Sequence, residues 1–159
     1  AVTDSPLSRR DFARTGLATA AGALAANWVP SSAARASTAG ARYAEIRVGL
    51  IGCGGRGTGA AANALRAAEG IKLVAVGDVF RKKAVNALEA LRGDGLAELL
   101  DCPEDSIYDG LDAYQKVIEH PKVDVVLHAA PPGLRPLHLA ANVAAGKHAF
   151  IEKPCCVDP

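Results

Sequence analysis

Methionine is absent from all 159 residues, aromatic side chains make up 4% of them, and the formal net charge is only +1. A chain that lacks an initiator is expected to have been processed or trimmed at its start. Few aromatic rings leave little for bases to stack on, and a balanced charge gives no electrostatic reason to propose binding to phosphate backbones. Nucleic acid is therefore not the expected partner. A long apolar run is missing too: residues 15–34 are uncharged but rich in Ala and Gly, too weakly apolar to insert firmly in a bilayer. The four cysteines, Cys53, Cys102, Cys155 and Cys156, fit no zinc spacing, so no metal site is expected. Adjacent Cys155 and Cys156 bridge each other only with strain, and all four are read as buried thiols packing as small hydrophobes. What is present is ordinary for a globular chain: half the residues are hydrophobic and 22% charged, enough for one domain with a real core.

The first 36 residues differ in composition from the rest. Ser8-Arg9-Arg10-Asp11-Phe12 precedes the uncharged stretch, Pro30 breaks it, and Ala34-Arg35-Ala36 offers a small-x-small cleavage site. A helix belonging to the fold is the competing reading, but it would lack a charged face and be weakened by Gly16 and Gly22. The layout is that of a secretory signal, and the paired arginines resemble a twin-arginine (Tat) signal. That resemblance implies the Tat translocase as a partner and a periplasmic or other extracytoplasmic location in a bacterium. Residues 37–44 read as a linker, and 45–159 as the folded domain.

From Ile46 the pattern becomes regular. Residues 46–51 read as a buried strand, 56–68 as a helix with Ala61, Leu65 and Ala68 inward, 71–77 as a second strand and 81–91 as a second helix. Residues 93–105 look irregular, with one helical turn near 97–100. A short third strand is expected at 106–108, and then a helix whose inner face carries Leu111, Tyr114 and Ile118 and which ends before Pro121. Residues 123–127 form the next strand. A helix with Pro136 in its first turn and Gly146 just past its end follows, then a strand at 149–151. Strands alternating with helices predict an α/β fold with a parallel sheet and right-handed crossovers.

Gly52-Cys53-Gly54-Gly55-Arg56-Gly57 follows the first strand and opens the first helix. In this context each glycine of the G-x-G-x-x-G pattern has a task. Gly52 permits the tight turn, Gly54 lets the backbone approach a pyrophosphate, and Gly57 allows close helix–strand packing, while N–H groups at the helix start attract phosphate. All six loop residues are expected at a dinucleotide. Asp78 closes the second strand, where a carboxylate accepts ribose hydroxyls and repels a 2′-phosphate, which favours NAD. Arg81, Lys82 and Lys83 follow at once; Arg81 in particular keeps NADP possible by offering a cation to that phosphate. Their alternative reading is a solvated helix face.

Later come Ala129-Ala130-Pro131-Pro132, His138 and the run Gly146-Lys147-His148-Ala149-Phe150-Ile151-Glu152-Lys153-Pro154. With the glycine loop, this run resembles the Gfo/Idh/MocA oxidoreductases over roughly residues 46–159. The resemblance implies a doubly wound Rossmann sheet and a catalytic Lys153 beside the nicotinamide, hydrogen-bonded to the reacting hydroxyl. Chemistry suits that role, since oxidising an alcohol removes an O–H proton as C–H hydride leaves. It implies also that Glu152 lies near the nicotinamide ribose and that Pro131 lines the cofactor's path. His138 matches a histidine the family often places after the proline loop; its other reading is a helix residue satisfied by a backbone carbonyl. His120, His128 and His148 are read as structural, His148 packed beneath the loop. Two departures stand out: alanines where relatives often carry Thr before the proline, and Cys155-Cys156 where small aliphatic residues are usual.

Family members continue into an α/β substrate domain, so the chain is expected to be the N-terminal part of a longer protein, a homo-oligomer at full length. The resemblance implies oxidation of a sugar, cyclitol or related polyol with NAD. An NAD-dependent, redox-neutral glycosidase remains the second reading, and a non-catalytic nucleotide-binding fragment the third.

Overall fold

The computed structural model describes residues 45–157; the expected signal and linker, 1–44, lie outside the described residues. Apolar, β-branched runs become five strands: β1 (Ile46–Ile51), β2 (Ile71–Asp78), β3 (Ile107–Asp109), β4 (Val125–His128) and β5 (His148–Ile151). Four helices alternate with them: α1 (Gly55–Ala67), α2 (Arg81–Leu91), α3 (Ala113–Glu119) and α4 (Arg135–Ala144). All pairings are parallel, in the order β3-β2-β1-β4-β5. This is the doubly wound sheet expected of the sequence. The order reverses beside β1, which opens a crevice at the carboxyl ends of β1 and β4 where such sheets take ligands.

Both faces of the sheet are covered. Leu50, Leu73, Val76 and Leu127 pack against Ala61 and Leu65 of α1 and Leu88 and Leu91 of α2. Val74, Ala75 and Val126 pack on Tyr114, Val117 and Ile118 of α3. The division has a cause in the register. Val48 pairs with Leu73 and Gly49 with Ala75, so Val74 is an extra residue in β2, and this bulge shifts the side-chain alternation by one place. On the second face α3 comes close because two strand positions have no side chain. A Cβ on Gly49 would stand 2.7 Å from Val117, and one on Gly77 2.8 Å.

Most expected elements fall within a residue or two of their places, and the differences have local reasons. Leu111, expected on the inner face of α3, precedes that helix and is 80% exposed. Asp124 stays outside β4 because its carboxylate accepts the backbone N–H of Arg47 at 2.9 Å and pairs with its guanidinium at 3.1 Å. Ala68 is past the end of α1 and exposed. The irregular stretch holds a wide turn at Arg92–Leu96, with Gly95 at φ +76°, and two short tight turns, Ala97–Leu99 and Glu104–Ser106. Only Cys53 of the four thiols is fully buried; Cys102 is half-buried, and Cys155 and Cys156, which follow β5, are exposed. His148 is likewise exposed, at the start of edge strand β5, rather than packed beneath the loop. No described helix is long and apolar enough to cross a membrane.

Candidate cofactor site

The glycine loop is built by the absence of side chains. Gly52 donates its N–H to Gly77 O at 2.8 Å and turns the chain with φ +90°. A Cβ there would meet the backbone N of Ala130 at 2.5 Å, and one on Gly57 would lie 1.8 Å from Gly52 O. Gly54 and Gly55 differ: a Cβ on either would meet nothing within 4 Å. The fold's own packing demands the first pair, whereas the second keeps the space in front of α1 open. No side chain caps α1 and no acidic residue occupies its first turn, so its leading N–H groups and the positive end of its dipole face that space. Such a cradle fits a diphosphate.

Asp78 is wired to this loop. One carboxylate oxygen accepts the N–H of Cys53 at 2.8 Å, the other that of Phe80 at 3.0 Å. These bonds fix the carboxylate at the crevice and leave each oxygen a second lone pair for a hydroxyl donor. The Cys53 side chain turns inward, its thiol donating to Gly77 O at 3.5 Å and pushed up to about 12 by burial and then by Asp78's charge. Cys53 thus contributes backbone to the loop rather than a thiol.

Beside the loop lies a cavity of about 360 Å³, lined largely by apolar groups that include Val79, Phe80, Leu111, Pro131 and Leu134, with Asp78 at its edge. Arg81, expected at the ribose, does not line it. Its guanidinium donates to Ile107 O at 2.8 Å and pairs with Glu104 and, at 3.3 Å, with Asp109. The bond to Glu104 and then that to Asp109 hold Arg81 above its ordinary value. Carboxylates of β3 and of the turn before it claim the arginine, and Lys83, over the face of Phe80 at 5.2 Å, is the lysine that lines the cavity. A larger hollow of about 630 Å³ lies at the opposite strand ends, but its charged walls, Arg47, Asp124 and Lys147, are engaged with the protein itself. No group of three or more His, Cys, Asp or Glu able to hold a metal occurs among the described residues.

His138 is 5% exposed, stacks on Tyr114 with ring centroids 4.2 Å apart, and lines the cavity. No backbone carbonyl accepts from its Nδ1, which is buried without a hydrogen bond inside the protein. Burial first, then the neighbouring His128, lowers it to about 4, so it is neutral at physiological pH. His128 is held between Nε2 and Asn142 Oδ1 at 3.3 Å, and Asn142 also donates to Lys147 O at 2.7 Å. The motif lysine Lys147 is structural: Nζ donates to the carbonyls of His120 and Val123 at 3.0 and 2.6 Å.

The Glu-Lys-Pro turn reaches the glycine loop through side chains. The Glu152 carboxylate, 6% exposed, pairs with Arg56 of α1 at 2.7 Å. Lys153 is exposed beyond the end of β5, and the peptide joining it to Pro154 is cis. A residue the motifs did not single out completes the arrangement. Arg135, 6% exposed, donates from Nε to Ala130 O at 2.6 Å and from Nη1 to the carbonyls of both Glu152 and Pro154. The sequence held one sign of it. A cation in the first turn of a helix opposes the dipole, so Arg135 needs acceptors elsewhere.

A loop that only glycine can form, a carboxylate fixed beside it and a Glu-Lys-Pro turn drawn to it form one ligand-binding edge. The model of the oxidoreductase family with an NAD-binding Rossmann fold matches residues 46–159. The chain belongs to the Gfo/Idh/MocA family. It is thus an NAD-binding domain of an oxidoreductase family. Among curated relatives, a glycosyl hydrolase family 109 protein of Shewanella amazonensis is 29% identical over 159 residues, covering 93% of this chain and 33% of that protein. The chain spans about a third of the length of the curated relatives it matches. Among solved structures, an NAD-binding oxidoreductase of Klebsiella pneumoniae shares 28% identity with a TM-score of 0.56, over 72% of this chain and 29% of that one. A myo-inositol dehydrogenase of Lactobacillus casei, solved with NAD(H) and myo-inositol, shares the fold at 20% identity and a TM-score of 0.58, over 70% and 29%.

Proposed function

We propose that this Gfo/Idh/MocA domain is the cofactor half of an enzyme that moves hydride between NAD and the hydroxyl-bearing carbon of a sugar, cyclitol or related polyol. The 2.7 Å pair between Arg56 and Glu152 carries the reading, because it joins the residue before Lys153 to the helix that opens the phosphate cradle. Bound there, NAD supplies the hydride acceptor. The chain's own groups do the rest. Gly54, Gly55 and the start of α1 take the diphosphate, Asp78 takes ribose hydroxyls and Pro131 lines the path. Glu152 lies toward the nicotinamide ribose, and the exposed Lys153 amine exchanges a proton with the reacting oxygen. General acid–base catalysis of this kind contributes about 10² to 10⁴ in rate. Lys153→Met in the full-length protein should therefore lower kcat by at least about a hundredfold while NAD binding persists. Undiminished turnover in that variant would sink the role.

The relatives named as glycosyl hydrolases support a second reading, a glycosidase that uses NAD without net redox change. Reduced cofactor accumulating with turnover favours the dehydrogenase; sugar release from a glycoside without it favours the glycosidase. We also propose export by the Tat route, resting on Ser8-Arg9-Arg10-Asp11-Phe12. Lysines in place of Arg9 and Arg10 should block export through that route, and unchanged export would remove the proposal.

A further inference from the structure

The Arg135 guanidinium is buried at the start of α4, where the helix dipole disfavours a cation. Burying a charge is costly unless hydrogen bonds replace its hydration. The groups that accept from it are neutral backbone carbonyls, and their positions are informative. Two of them, Glu152 O and Pro154 O, flank Lys153 in the chain, and both are held by the same nitrogen, Nη1. The third, Ala130 O, immediately precedes Pro131 in the loop after β4 and is held by Nε. The rigid planar fork of the guanidinium therefore ties the carbonyls on either side of Lys153 to the loop that lines the cavity.

We propose that Arg135 is the positioning residue for Lys153. It touches no reacting atom. It fixes the backbone from which the Lys153 side chain extends, and it sets that backbone relative to Ala130 and Pro131. The proposal rests on the functional reading of Lys153 given above. Arg56 cannot substitute, because it holds the Glu152 carboxylate at the near end of the turn and leaves Pro154 untouched. Lysine cannot substitute either, since a single ammonium centre lacks the fork that spans Nε and Nη1 acceptors.

The test uses the 159-residue chain, unaltered and as Arg135→Met and Arg135→Lys. Two readouts are taken: hydrogen exchange at the amide of Glu152, which donates to His128 O at 3.0 Å, and acetylation of the Lys153 amine with and without NADH or ADP-ribose. In the unaltered chain, NADH should protect the amine and ADP-ribose, which lacks the nicotinamide, should not. In Arg135→Met this amide should exchange about tenfold faster or more, because the turn that Arg135 holds opens more often. Arg135→Lys keeps the charge, so it guards against a methionine variant that fails to fold. It should bind ADP-ribose within about twofold of the unaltered chain, yet lose NADH protection of Lys153. Unchanged exchange together with unchanged NADH protection in Arg135→Lys would overturn the proposal. If NADH leaves Lys153 unprotected in the unaltered chain, the functional reading of Lys153 fails, and the exchange comparison alone then decides whether Arg135 holds the turn.

Discussion

The glycine loop and the Glu-Lys-Pro turn stand at the same edge of one sheet but are held there by opposite means. The loop exists because side chains are missing: Gly57 can approach Gly52 O only without a Cβ. The turn exists because two long side chains reach it, Arg56 onto the Glu152 carboxylate and Arg135 onto the backbone carbonyls. A site organised by sterics responds abruptly to any added atom. One organised by charged hydrogen bonds responds by degrees, and to solvent conditions as well as to mutation.

The largest effect expected from this contrast is at Gly57. Alanine there would place a Cβ 1.8 Å from Gly52 O, so the loop and α1 must separate. Gly57→Ala should cost about 3 kcal/mol or more in denaturant unfolding. It should also weaken NAD by about a hundredfold or more in a binding titration. An alanine variant that binds NAD normally would break the comparison at its steric end.

Acid should separate the two regions next. Burial holds His138 at about 4 in the folded chain, against an ordinary value of 6.5. Between those values the unfolded chain binds the proton and the folded one does not. Stability from this group is therefore complete above about pH 6.5 and falls as the pH drops toward 4, by up to about 3 kcal/mol. His128, lowered in the same direction by burial, adds to the fall, and the charge of nearby Arg135 contributes to lowering it. Hydrogen exchange should show the α3–α4 side loosening before β1, α1 and β2, and His138→Gln should flatten the stability profile. A profile equally steep in that variant would assign the acid sensitivity elsewhere.

The smallest effect is expected at the ion pair. Arg56 is 69% exposed, so solvent screens its half of the bond, while Glu152 is buried and suffers if left alone. Arg56→Gln should cost about 1 kcal/mol, less in high salt. A double-mutant cycle with Glu152→Gln sharpens the point, because coupling near zero would show that the turn does not depend on the pair.

The same contrast explains what the sequence made legible. Glycine spacing, strand runs and Asp78 speak through local rules, and the sheet, the loop and its carboxylate stand where those rules put them. Polar ties between distant segments follow no spacing. Arg81 had the right position for a ribose phosphate, but Glu104 and Asp109 claim its guanidinium, and nothing in Arg-Lys-Lys foretells that. Arg135 was passed over because the motifs lie on either side of it. His138 lines the cavity, but its stacking on Tyr114 between two helices follows from no motif. The thiols show the same limit: small size predicted burial for Cys53, and an exposed turn decided otherwise for Cys155 and Cys156.

The path of the Arg135 side chain also bears on the order in which the molecule is put together. The bond from Cys53 to Asp78 closes a segment of 25 residues, so a phosphate cradle can form early in a growing chain. The lysine cannot be set until Ala130, α4 and the residues after β5 are all in place, because one guanidinium joins them. If Lys153 has the role proposed for it, a chain interrupted before β5 would lack the means to set its reactive amine.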